Sequence, residues 1–320
     1  MSERGTTTDT ARPDATSHAP ATPPAGGRAP RALGDGAFAA LLMLPALAML
    51  AAIVVYPLVA SLVTAFFEQS LVEPGRTFVG LQNITDLLGG DFWRLLGQTL
   101  VFTVGATVAP FLVGLFLALA LNTRIRGRAT LRGLLLIPWL VPSVVVSFLW
   151  MWIFNANYGL ANGILEALGL IDNPQAWLAA PGTAMTAVIV AKTWASFPWI
   201  MVMLLAGLQT VPVELHEAAE TDGASAVQRF FAVTLPHLRG IIGIVLLLEL
   251  IWNFQHFDLI YVMTGGGPAG ATETFATAVY ETAFQGFDLG RAGALGLLWM
   301  VLLLVMVAIY VRRSEREGQL

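Results

Sequence analysis

The run LLLELIWNFQHFDLI, residues 246–260, sets four chemically capable side chains into an otherwise apolar stretch: Glu249, Trp252, Asn253 and His256. Their spacing of i, i+3, i+4 and i+7 places them on one stripe if the run is helical. An aromatic plane beside hydrogen-bond donors and acceptors suits a hydroxyl-rich solute, whose ring C–H faces pack on the aromatic while its hydroxyls need both kinds of partner. The same stripe would equally serve hydrogen bonding between packed helices, worth only about 0.6 to 2 kcal/mol per contact, so both readings stand for Asn253 and His256. Lys192 is the only lysine of the chain and also lies in an apolar run. If the two runs are antiparallel membrane spans, a rise of 1.5 Å per residue brings Lys192 and Glu249 to within about 6 Å in height. The expectation is an ion pair from Lys192 to Glu249 or Asp258. Beside Lys192, the segment WASFPW gathers aromatics, Trp194 first, around Pro198, a kink that would widen a cavity.

None of these residues forms a covalent catalytic set. The chain has no cysteine, no HExxH and no GxSxG, which removes thiolate chemistry and the common zinc and serine hydrolase patterns. His18, His216, His237 and His256 fall in separate segments without metal-ligand spacing. No catalytic residue and no metal site is expected. Lys192 follows Ala191, so no Walker A loop exists to bind ATP.

What must position these residues is a set of membrane helices. The 320 residues are 56% hydrophobic and 12% charged, with a mean hydropathy of +0.71, about half the charge of a soluble domain. A net charge of −4 without a basic patch excludes nucleic acid as a partner. The first 36 residues are Ala, Pro, Thr, Gly, Ser and Arg, too poor in large apolar groups to offset ordering, and read as a disordered tail rather than a secretory signal. Six apolar stretches follow, near 38–61, 99–121, 134–154, 184–208, 241–262 and 292–311, each close to the length of about 20 residues that crosses the hydrocarbon. Residues 313–320 form a short polar tail. Prolines at 45, 57, 110, 138, 142 and 198 interrupt four of the stretches, which suits a bundle lining a pathway.

The arginines orient this bundle, because basic residues stay on the cytoplasmic side. With the amino terminus inside, Arg4, Arg12, Arg28, Arg31, Arg124, Arg126, Arg128, Arg132, Arg229, Arg239, Arg312, Arg313 and Arg316 are cytoplasmic, against Arg76, Arg94 and Arg291 outside. The expected fold class is an all-α polytopic membrane protein with six transmembrane helices and both termini cytoplasmic. Its domains are the tail 1–36, a transmembrane domain 37–312 and the tail 313–320.

Between the fourth and fifth spans lies the semi-polar stretch EAAETDGASAVQRFFAVTLP, residues 217–236. Pro212 and Glu214 suit a first helical turn, and Gly223 suits its left-handed end. Ser225 with Gln228 has capping-box spacing, so a second short helix is expected from there until Pro236 stops it. Ala218 and Ala219 keep the first helix thin enough to enter a groove, while Val227, Phe230 and Phe231 give the second an apolar face.

The spacing of Glu217, Ala218, Ala219, Gly223, Val233, Leu235 and Pro236 resembles the EAA loop of importing ABC-transporter permeases, with valine where isoleucine is usual. The runs IPWLVPSVVVSFLWMWIFNANYGLANGIL and FDLIYVMTGGGP are similar to the carbohydrate-importing branch of that family, of the maltose and glycerol-phosphate type. The resemblance implies a coupling helix between helices 4 and 5, in a loop of 212–236 that includes Asp222, docked on a separate ATPase. It implies two ATPase subunits that bind ATP and Mg, a second homologous permease, an extracytoplasmic sugar-binding protein and a multi-pass place in the bacterial cell membrane. The chain itself would need no cofactor and hydrolyse nothing. An ion-gradient-driven secondary transporter is the competing reading, though no clear internal repeat supports it.

Overall fold

The computed structural model describes residues 35–123 and 126–316. The expected disordered tail therefore lies outside the described residues except for its last two positions, as do Arg124 and the last four residues of the chain. The described chain divides into two units, residues 1–55 and 56–320. The first contains α1 (Asp35–Leu50) and a five-residue π turn, Ala51–Val55, with every described side chain exposed.

The second unit begins with α2 (Tyr56–Thr64), the short antiparallel pair β1 (Phe67–Glu68) and β2 (Thr77–Phe78), and α3 (Gln82–Gly89). Then come α4 (Phe92–Leu121), α5 (Arg128–Leu140), α6 (Ser143–Ile153), α7 (Leu160–Ala167) and α8 (Pro181–Leu208). Two short helices, α9 (Val213–Thr221) and α10 (Ala226–Arg229), precede α11 (Leu235–Phe254), with a π turn at Phe230–Thr234. The chain finishes with α12 (Asp258–Thr264), α13 (Phe275–Tyr280), a π turn at Glu281–Gln285 and α14 (Leu289–Arg316).

Among the described residues, five helical stretches are long and apolar enough to cross a bilayer: Leu42–Thr64, Phe92–Leu121, Pro181–Leu208, Ala226–Phe254 and Leu289–Arg312. The stretch expected as one span at 134–154 is instead two helices, α5 and α6, meeting at a 96° bend. Proline explains the break. Pro142 cannot donate to the carbonyl of Pro138, and it forces Val141 into the extended region, ψ 129°.

The core is built on α4 and α8, whose contact is the most extensive in the molecule. A side chain at Gly114 would lie 2.9 Å from Ile200 Cγ2 and 3.1 Å from the Met201 backbone nitrogen, so glycine permits the two backbones to touch. Above and below this point two clusters fill the interior. One joins Phe102, Val146, Val188, Leu259 and Ile260, and the other joins Leu121, Ile200, Leu204, Leu238 and Val245. The outer faces carry Leu112, Phe116, Phe148, Val202, Leu304 and other exposed apolar groups, a surface suited to lipid or to another helix rather than to water.

Candidate functional site

Two places gather the residues singled out above. The first is a cavity of about 160 Å3 lined by Lys192, Trp199, Glu249, Trp252 and His256, with Ser143, Ser196 and Trp139 completing its polar and aromatic wall. It forms where two broken helices meet. α6 starts at Ser143, just past the bend at Val141–Pro142, and α12 starts at Asp258, just past a gap at Gln255–Phe257. The hydroxyl of Ser143 donates to Asp258 Oδ2 at 2.9 Å and so ties one break to the other. Irregular backbone at such a depth is tolerated where it lines a cavity or is covered by protein.

The single helical stripe expected in residues 249–256 is corrected here. α11 ends at Phe254, and the fifth stretch lies at 226–254 rather than 241–262. Glu249, Trp252 and Asn253 are on α11, while His256 is off it and reaches the cavity from the gap. Its ring stacks on Phe102 at 6.0 Å, and its Nε2 is buried without a hydrogen-bond partner among the described residues. Trp252 stands edge-on to Trp199 with ring centroids 5.0 Å apart.

Asn253 does not line the cavity. It is 1% exposed, and the two hydrogens of its amide nitrogen are shared among three acceptors, Ala106 O at 3.0 Å, Thr107 Oγ1 at 3.1 Å and Glu249 Oε2 at 3.0 Å. The reason is Pro110, four residues beyond Ala106, which leaves that carbonyl without its helical donor. Asn253 fills the vacancy and is a strut between α4 and α11. Trp194 is also displaced from the expected path: it lines a separate apolar cavity of about 520 Å3 with Trp150, Trp177 and Ile164. The WASFPW segment contributes Trp199 in its place.

The ion pair expected at Lys192 is not made at contact distance. Among the described residues the ion pairs join Arg94 to Asp91 and Glu273, Arg229 to Glu220, and Arg291 to Asp91. Lys192 faces the cavity instead, within the electrostatic reach of both Glu249 and Asp258. Ser143, Ser196 and Trp139 were not singled out by sequence. For Trp139 and Ser143 the signal was the pair of prolines at 138 and 142, which marks a break but not what the break faces, and Ser196 lies inside the WASFPW run that was read for its aromatics.

The second place is the loop between α8 and α11. Pro212 stands at the N-cap of α9, and Glu214 lies in its first turn. Glu217, Ala218 and Ala219 follow on the same helix, which Asp222 closes as C-cap. Gly223 has φ of +80°, where a β-carbon is strained, and the Gly223 and Ala224 amides donate back to Glu220 O at 3.0 Å and Ala219 O at 2.9 Å. The Ser225–Gln228 capping box forms in both directions, at 2.8 and 3.4 Å. Arg229 bonds Glu220 at 2.8 Å and holds the two short helices together.

Pro236 does not stop the second helix, contrary to expectation. The chain passes through the π turn Phe230–Thr234, where the Leu235 amide donates to Phe230 O, five residues back, and continues as α11 with Pro236 in its first turn. The wider turn takes up the bond and the space that proline denies an ordinary helix. Val233 lies within it, and Val213, Leu215, Val227 and Phe231 stay exposed on the loop's surface. Under α9 a cavity of about 420 Å3 is lined by His216, Arg229, Phe230 and Thr234 with Asn122 from the end of α4.

Comparison with known proteins gives the family of the chain. Residues 110–316 match the family described as binding-protein-dependent transport system inner membrane component. The trehalose/maltose transport system permease protein MalF of Thermococcus litoralis is 37% identical over 85% of this chain and 92% of its own length. The sulfoquinovosyl glycerol transport system permease protein SmoG of Agrobacterium fabrum is 35% identical over 88% of this chain and 91% of its own. Among solved structures, a bacterial alginate ABC transporter in complex with its alginate-pentasaccharide-bound periplasmic protein contains a chain of the same fold. It superposes with a TM-score of 0.75 at 21% identity, covering 87% of this chain and 94% of that one. With its apolar helical stretches and its loop between α8 and α11, this chain belongs to the binding-protein-dependent transport system inner membrane component family and is a multi-pass permease subunit of an ABC importer.

Proposed function

We propose that the chain carries a sugar or related polyol across the membrane, with the cavity at the two helix breaks as its part of the path. One observation carries this reading: the cavity sets the Trp199–Trp252 pair beside Lys192, Glu249 and an unpartnered His256 Nε2. Aromatic faces with charged and imidazole hydrogen-bonding groups are what a polyhydroxylated ring requires. The relatives' names, which refer to trehalose, maltose and a sulfoquinovosyl glycerol, support the same class. A volume of about 160 Å3 is half a pathway, and a second homologous permease would supply the other wall.

In this reading α5 and α6 together make the third of six spans, both termini are cytoplasmic, and α9 is the coupling helix. Two separate ATPase subunits bind ATP and Mg and receive α9 in a cleft, so that their closure moves α11 through the π turn. Glu217, Ala218, Ala219, Asp222, Gly223, Val233, Leu235 and Pro236 are the joint. Exposed Val213 and Leu215 offer the apolar contact such docking needs.

An external binding protein would meet the segments 155–183 and 264–290. Both are pinned in advance. Asn162 bonds Ala156 O, Gln175 and Trp177 Nε1, and Arg94 bonds Gly270 O and Glu273.

The test is uptake of a labelled disaccharide into vesicles holding the complete transporter, energised by internal ATP or by an imposed proton or sodium gradient. Uptake with ATP alone is expected; uptake driven by the gradient without ATP would overturn the reading in favour of a secondary transporter. Because the chain lacks cysteine, Ala219→Cys gives a single thiol for crosslinking. It should capture the ATPase, and capture of none in an active transporter removes the coupling role.

A further inference from the structure

Resting on the cavity as the solute path, we infer that the transported solute is uncharged and that Glu249, set against Lys192, is the group that rejects anions. The lining is unusual for an anion receptor. It contains one cation, Lys192, and no arginine, the side chain whose planar fork matches carboxylates, sulfonates and phosphates. That one cation already faces two carboxylates. Glu249 shares the cavity wall with it, and Asp258, outside the lining itself, accepts the 2.9 Å bond from the lining residue Ser143 and lies within electrostatic reach of Lys192. An incoming anion finds no surplus positive charge.

The orientation of Glu249 adds to this. Its Oε2 is occupied by the Asn253 amide at 3.0 Å, and Asn253 is itself locked to Ala106 and Thr107 of α4. The carboxylate is thus tethered through Oε2 to a strut that is 1% exposed. An ionised carboxylate only accepts hydrogen bonds, so a hydroxyl satisfies it and a second anion cannot. In a site shielded from water the repulsion between like charges is several times that in bulk. His256 Nε2, buried and without a hydrogen-bond partner among the described residues, is a further group that a hydroxyl would satisfy, acting as donor or acceptor according to the imidazole's tautomer.

The same cavity therefore separates a neutral ring from its acidic counterpart by charge, while Trp199 and Trp252 recognise what the two share. Glu249 and Lys192 act in opposite senses. Removing the carboxylate leaves Lys192 balanced by Asp258 alone and tolerant of an anion; removing the ammonium leaves carboxylates only.

The experiment uses the complete transporter in vesicles and a panel of labelled probes in matched pairs: neutral hexoses, disaccharides and glycerol against the corresponding uronates, sulfonates and phosphate esters. For whichever pair is taken up, the readout is the ratio of anionic to neutral uptake. The wild-type ratio is expected to be low, to rise about tenfold in Glu249→Gln and to fall about tenfold in Lys192→Gln, as electrostatic terms of this size imply. Equal or faster uptake of the anionic member by the wild type overturns the inference, and so does an unchanged ratio in both variants. If Glu249→Gln does not assemble, the fall in Lys192→Gln still decides. If no member of the panel enters with ATP, the sugar reading itself is wrong and the inference goes with it.

Discussion

The coupling loop and the cavity differ in how far along the chain their parts are drawn from. In the loop, Ala224 bonds Ala219, Ser225 bonds Gln228, and Glu220 bonds Arg229, all within ten residues. In the cavity, Ser143 reaches an aspartate 115 positions away, and Asn253 a threonine 146 positions away. A locally closed motif keeps its shape wherever the rest of the chain goes, whereas the cavity exists only after α5, α6, α8, α11 and α12 have packed. The loop is accordingly exposed and rigid in itself, and the cavity is buried and dependent on its neighbours.

Substitutions should expose this difference, the largest effect first. Gly223→Asp is expected to abolish ATP-driven uptake while leaving the protein inserted, measured by transport and by membrane fractionation. Among the described residues no atom outside its chain neighbours lies within 4 Å of where that side chain would begin, so no packing clash is involved; the strain of any β-carbon at φ +80° is carried equally by Gly223→Ala, and a larger loss in the aspartate than in the alanine variant would report a contact with the ATPase. Normal uptake would break the distinction between loop and core. Asn253→Leu should lower stability by about 1 to 3 kcal/mol, because it orphans the Ala106 carbonyl and frees Glu249, read as a lower unfolding midpoint in detergent. An unchanged midpoint would return Asn253 to the solute path.

Ser225→Ala removes a capping box and should cost about 1 kcal/mol, confined to the loop. Hydrogen exchange should speed at residues 226–229 and stay unaltered in α4 and α8; a global change would mean the loop is not independent. Glu220→Gln should be smaller still, at most about 1 kcal/mol, since the glutamate of that pair is largely exposed. The same exchange measurement, repeated at high salt, should show the wild type moving toward the variant.

The same contrast governs what was legible in the sequence. Gly223 and the Ser225–Gln228 pair announced their own local geometry, and the structure has both in the expected backbone role, while Pro212 stands just ahead of the first turn expected for it, at the N-cap of α9. Apolar length located the membrane helices, because crossing hydrocarbon demands it whatever the packing. Pro236 misled, because the cost of proline in a helix can be relieved by a wide turn that no residue type marks. In the cavity, periodicity assigned Asn253 and His256 to one stripe, and the helix ended between them. No glycine or proline signals the end at Phe254. There the Phe254 carbonyl accepts from Trp299 Nε1 at 3.1 Å, a partner 45 positions away that only tertiary packing supplies.

The five-residue turn at Phe230–Thr234 also sets an angle. Accommodating one more residue than an ordinary α-turn rotates everything before it by about 100° relative to α11. The azimuth at which Val227 and α9 leave the bundle is thus written in the count of residues ahead of Leu235. A one-residue deletion there would keep the composition of the joint and its short helices, yet point the whole attachment face at a different neighbour.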